Sequence, residues 1–87
     1  MVSGIEQARA VISQANILTG KAITEFTTAI TTLEGAVAEL TDVLRASSRS
    51  DGEHAATTAR QAIELLGHAT ESARAAIHNA HLLSDTL

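Results

Sequence analysis

Eighty-seven residues with no cysteine, proline, tryptophan or tyrosine, a single phenylalanine and a formal net charge of −4 exclude several classes at once: no disulfide framework or cysteine-ligated metal is available, and Phe26 alone makes no stacking platform. The cations Arg9, Lys21, Arg45, Arg49, Arg60 and Arg74 are scattered, so no basic stripe exists to neutralise phosphates, and nucleic acid is not an expected partner. Apolar runs fall short of the roughly 20 residues of a spanning helix, and residues 1–6 lack the cationic-then-apolar order of a cleavable signal, which leaves a cytoplasmic chain, or one secreted without such a signal, and no membrane insertion.

Taken in chain order, Ser3 with Glu6 three residues later has capping-box spacing and predicts a first helix over about 5–46. Its clearest register is Ile23, Phe26, Ile30, Leu33, Val37, Leu40 and Leu44, whose spacings alternate three and four, the mark of a helix packed lengthwise on another. Upstream, Ile5, Ala8, Val11, Ile12, Ala15, Leu18 and Ala22 spread over a wider face, and a phase shift near Thr19 and Gly20 reconciles the halves. Gly20, at a cost of about 1 kcal/mol relative to alanine, marks either a kink or, as the favoured reading, a tolerated residue in a continuous helix. Thr24, Thr27, Thr28, Thr31 and Thr32 crowd the same helix, each disfavouring it by about half a kcal/mol. They form either a hydroxyl-lined face for a partner or a neutral solvated surface.

The polar stretch Ser47, Ser48, Arg49, Ser50, Asp51 and Gly52 predicts the turn, over about 47–52, and Ser50 with Glu53 repeats the capping spacing. A second helix follows over about 53–85. Its seam reads Ala55, Ala59, Ala62, Leu66, Ala69, Ala73, Ala76, Ala80, Leu83 and Leu87, with Ile63 and Ile77 beside it at e-type positions. The expected fold is all-α: one domain over 1–87, an antiparallel two-helix hairpin. Two helices cannot enclose a core, a chain this short is near the lower limit for one, and Ala29, Ala36 and Val43 widen the first stripe. Dimerisation into a four-helix bundle is therefore expected. The interface and core residues are Ile23, Phe26, Ile30, Leu33, Val37, Leu40 and Leu44 facing Ala59, Ala62, Ile63, Leu66, Ala69, Ala73, Ala76, Ile77, Ala80 and Leu83.

Catalytic chemistry has little to build on. There is no nucleophile elbow, no glycine-rich phosphate loop and no evident pocket to desolvate paired carboxylates such as Glu34 and Glu39, so neither an enzyme nor a cofactor is expected. The histidines His54, His68, His78 and His81 fall on outward positions. His78, His81 and Asp85 are spaced to converge on one helical face, which makes them weak metal candidates, with no second shell in view. Complementing the helix dipole is the favoured role for the last-turn histidines.

An acidic, alanine-rich chain of this length, with arginine preferred to lysine, an opening Ser3-Gly4-Ile5-Glu6-Gln7-Ala8-Arg9 and a Ser/Gly-rich turn near its midpoint, resembles the small helical-hairpin proteins and toxin leader domains of actinobacteria, in particular the type VII secretion (Trp-x-Gly) superfamily. The superfamily's Trp-x-Gly turn is missing, and the nearest match to its Tyr-x-x-x-Asp/Glu tail is His81-Leu82-Leu83-Ser84-Asp85, with histidine at the aromatic position. The resemblance implies a non-enzymatic interaction module that pairs with itself or a homologous helical chain, is a folded secretion substrate or leader, and meets the secretion machinery through His81 and Asp85. The alternative is a cytosolic structural or regulatory oligomerisation adaptor with no export role.

Overall fold

With no proline to interrupt the hydrogen-bond ladder and no residue at positive φ among those described, the chain winds into two long helices. The computed structural model describes residues 4–46 and 50–87. Helix α1 is Gly4–Ala46 and α2 is Ser50–Thr86, packed antiparallel along their length into a rod of 68 × 17 × 13 Å. The Ser3 cap and Ser47 to Arg49 of the expected turn lie outside the described residues. Helix α2 opens at Ser50 and so takes in Asp51 and Gly52, which the sequence assigns to the turn. Gly20 lies within an uninterrupted α1.

Gly52 fixes the register. A Cβ at this position would lie 2.8 Å from Leu44 Cδ2, so the absence of a side chain is what lets α2 approach Leu44 just after the turn. Helices of equal rise then carry the same offset down the rod, levelling Leu40 with Ala56, Val37 with Ala59, Leu33 with Ile63, Ile30 with Leu66, Phe26 with Thr70 and Ile23 with Ala73. Large side chains of α1 mostly meet small ones of α2, which brings the two backbones close. At the open end Arg9 donates its Nε–H to the Ser84 carbonyl at 3.2 Å. That carbonyl also accepts the Leu87 N–H at 3.3 Å, so a cation from α1 serves the negative end of α2, whose own last turn has no basic residue.

The seam departs from its expected phase twice. In α2 the inward positions are Gly52, Ala56, Ala59, Ile63, Leu66, Thr70, Ala73, Ile77, Ala80 and Ser84, all buried or half-buried. Ile63 and Ile77 thus lie in the seam, whereas Ala55, Ala76 and Leu83 are exposed and Ala62 and Ala69 flank it. In α1 the 23–44 register continues backwards through Thr19, Asn16 and Ile12, all half-buried, while Ala15 and Leu18 are exposed. No phase shift is needed. Polar residues occupy seam positions there, and apolar ones stand outside.

Those polar residues are unequally accommodated. Thr70 is only 7 % exposed, and its hydroxyl donates to the Leu66 carbonyl at 2.8 Å. Thr19 does the same to Ala15 at 2.9 Å. Asn16 is different: its Nδ2 is shut off from solvent and has no hydrogen-bond partner. An orphaned buried donor costs about 1–3 kcal/mol, so Asn16→Leu is expected to stabilise the hairpin by about that amount. A rise in the chemical denaturation midpoint, followed by far-UV circular dichroism, is the check, and an unchanged or lower midpoint refutes it.

Candidate interaction face

Lettering the α1 heptad with Ile23 at a and Phe26 at d, and α2 with Ala56 at a and Ala59 at d, sorts the remaining side chains into two long faces. Antiparallel pairing sets g beside g and e beside e. The g positions are Ala8, Ala15, Ala22, Ala29, Ala36 and Val43 in α1 and Ala55, Ala62, Ala69, Ala76 and Leu83 in α2. Every one is apolar. The e positions are Ser13, Gly20, Thr27, Glu34 and Thr41, facing Glu53, Arg60, Gly67, Arg74 and His81. That face is polar throughout.

The open end bears out this sorting. One groove, of about 780 Å³, is lined by Gly4, Gln7, Ala8, Ala10, Val11 and Ile12 of α1 with Leu83 and Leu87 of α2. A separate one is lined by Arg9, Ile12, Ser13, Asn16 and Ile17 with Ile77, His81 and Ser84. The first belongs largely to the apolar face and the second to the polar face.

Large side chains reinforce the contrast. Val11 and Leu18 at c positions of α1 and Leu65 at c of α2 stand along the rim of the apolar face, Val11 and Leu65 each 69 % exposed, and Val43 and Leu83 on the face itself are more than half exposed. Of the other exposed large apolar residues, Ile17 falls on the opposite side, and Ile5, Leu82 and Leu87 cluster at the open end. Long exposed apolar surfaces of this kind mark sites of association.

The seam itself is only partly enclosed. Among the described residues only Ala56, 1 % exposed, and Thr70 are buried, and no large side chain is fully enclosed. Phe26 and Leu66 are half-buried, as are Ile23, Ile30, Leu33, Val37, Leu40, Leu44, Ala73 and Ala80. The d positions lean toward the g side of the helix, so Phe26, Leu33, Leu40 and Leu66 share their remaining exposure with the alanine face. Ala62, Ala69, Ala76 and Leu83, read from the sequence as seam knobs, belong to this face instead.

Thr24, Thr27, Thr31 and Thr32 each donate to the carbonyl four residues earlier, at 2.9 to 3.2 Å. Their donors are thereby committed to their own helix. All four histidines are exposed, as is Asp85. Among the described residues no group of three histidine, cysteine, aspartate or glutamate side chains is placed to hold a metal ion. His81 and Asp85 sit in the closing turns of α2, on its polar side.

Asn16, Thr19, Gly52, Ala56, Thr70 and Ser84 are the seam residues that the sequence reading passed over. Extending the unbroken α1 register backwards from Ile23 finds the first two, and the Ile63 to Ile77 interval of fourteen finds Thr70 at its centre. No helix among the described residues is long and apolar enough to cross a membrane. No family model, curated protein or solved structure matches the chain.

Proposed function

We propose that this chain is a non-enzymatic helical interaction module: a hairpin that associates with itself or with a homologous hairpin to complete a four-helix bundle. Its resemblance to type VII secretion hairpins and toxin leaders suggests the setting, that of a folded secreted substrate or leader. The observation that carries the reading is the absence, among the described residues, of any fully enclosed large side chain beneath a face whose g positions are all apolar. A hairpin left in this state keeps much of its apolar area in water, forgoing about 25 cal/mol for each Å². Covering the face with two more helices recovers it.

Light scattering with refractive-index detection tests this directly, since a chain without tryptophan or tyrosine barely absorbs in the near ultraviolet. At micromolar concentration the expected mass is twice the 9.0 kDa of one chain, and the thermal midpoint should rise with protein concentration. A mass of one chain together with a concentration-independent midpoint refutes self-association.

A further inference from the structure

We infer that the occupant of the apolar face is a second copy of this chain, docked in parallel, turn end over turn end, with α1 of each copy lying on α2 of the other. This rests on the interaction reading above and adds to it the face, the partner and the orientation. The whole projection of the hairpin, 68 Å by 17 Å, bounds the face at on the order of 1,000 Å², which leaves room for the roughly 800 Å² per partner of a standard stable interface. It also suits a two-fold axis, because an isologous interface needs a surface that complements itself.

The orientation follows from charge and bulk. Glu25 and Glu39 stand at exposed c positions of α1 on the rim of this face, whereas the matching rim of α2 carries a charge only at its first turn, Asp51, and is uncharged from Thr58 through Leu65 and Ser72 to Asn79. Turning one copy end for end would set α1 on α1 and bring the two acidic rims together, an arrangement of like charges that opposes docking. In the parallel arrangement the same level-by-level offset sets Glu25 near the partner's Ser72 and Glu39 near the partner's Thr58, where hydroxyls can donate to the carboxylates. At the open end Val11 comes level with the partner's Leu83, and the two-fold repeats the contact, closing the apolar groove that each hairpin leaves open there.

Because the chain has no cysteine, a single His54→Cys variant carries one spin label, on an exposed outward position near the turn. Dipolar spectroscopy on the full chain should read about 25 Å between labels for parallel docking, against roughly 50 Å for the reversed one, from a rise of about 1.5 Å per residue. Leu65→Lys on the apolar face should halve the mass seen by light scattering with helicity retained, and Thr27→Lys on the polar face should leave it unchanged. A separation near 50 Å, or a dimer that survives Leu65→Lys and is lost in Thr27→Lys, overturns this arrangement while leaving the interaction module standing. A parent chain that is monomeric at every concentration overturns the second copy as occupant and leaves a homologous hairpin as the partner the module would need.

Discussion

Phe26→Ala should lower the stability of the assembled protein by about 3 kcal/mol. Phe26 is the largest seam residue and the only aromatic one. It comes level with Thr70, whose hydroxyl is already committed to its own helix, so neither a polar contact nor a neighbour of similar size can fill the space it leaves. Fully buried phenylalanine truncations cost about 3–5 kcal/mol. At about 0.05–0.15 kcal/mol per residue, such a loss is a large fraction of the total for a chain this short. In the hairpin alone Phe26 is half-buried, and truncation there should cost roughly half as much. Chemical denaturation followed by circular dichroism at two protein concentrations separates the cases. A loss that grows with concentration places Phe26 in a core closed by a partner, and a loss below about 0.5 kcal/mol at both concentrations rules out a packing role for this ring.

The second large effect runs the other way. Gly20, Gly35 and Gly67 all lie inside helices, none has positive φ, and a Cβ at each would find nothing within 4 Å. Each forgoes about 1 kcal/mol of helix propensity relative to alanine. The sites are well separated along the rod, so the effects should add. The triple variant Gly20→Ala, Gly35→Ala, Gly67→Ala should gain about 2–3 kcal/mol and raise the thermal midpoint by on the order of 10 °C or more. None of the three sits on the apolar face, so the mass in solution should not change. A drop in stability would mean that one of these positions is approached by another chain, and single variants would identify which. Gly52 stays out of this set, because the side chain of Leu44 occupies the space a methyl would need.

Much of this architecture can be read from the residues, and the places where it cannot have physical causes. From Ile23 to Leu44 the inward positions of α1 are all large and apolar while most outward ones are polar, so the three-and-four spacing has one solution. In α2 the a and g positions compete. Alanine or leucine holds every g position from Ala55 to Leu83, whereas the a series is interrupted by Thr70 and ends in Ser84. A pattern that counts apolar residues therefore pairs the g series with d in place of a, and turns the helix by about half a residue step. Packing selects the other series: Thr70 can be buried because a helix carbonyl satisfies it, and Ile63 and Ile77 fill more space between backbones than alanine does. The same cause operates in α1, where Asn16 and Thr19 hold seam positions and the flanking Ala15 and Leu18 imitate a shifted register. The width of the stripes was legible from the start, as Ala29, Ala36 and Val43. That they form one continuous surface with the alanines of α2 emerges only when the antiparallel register is known.

The contact between Arg9 and the Ser84 carbonyl spans 75 positions in sequence, and it bears on how the rod comes apart. Helix tips ordinarily melt residue by residue, independently of one another. Here the Ser84 carbonyl near the end of α2 is held by a cation rooted in the first turns of α1, so loosening either extremity gives up a bond that serves both. The hairpin should consequently open from its free end as a coupled pair, giving cooperative loss of structure where two separate rods would fray.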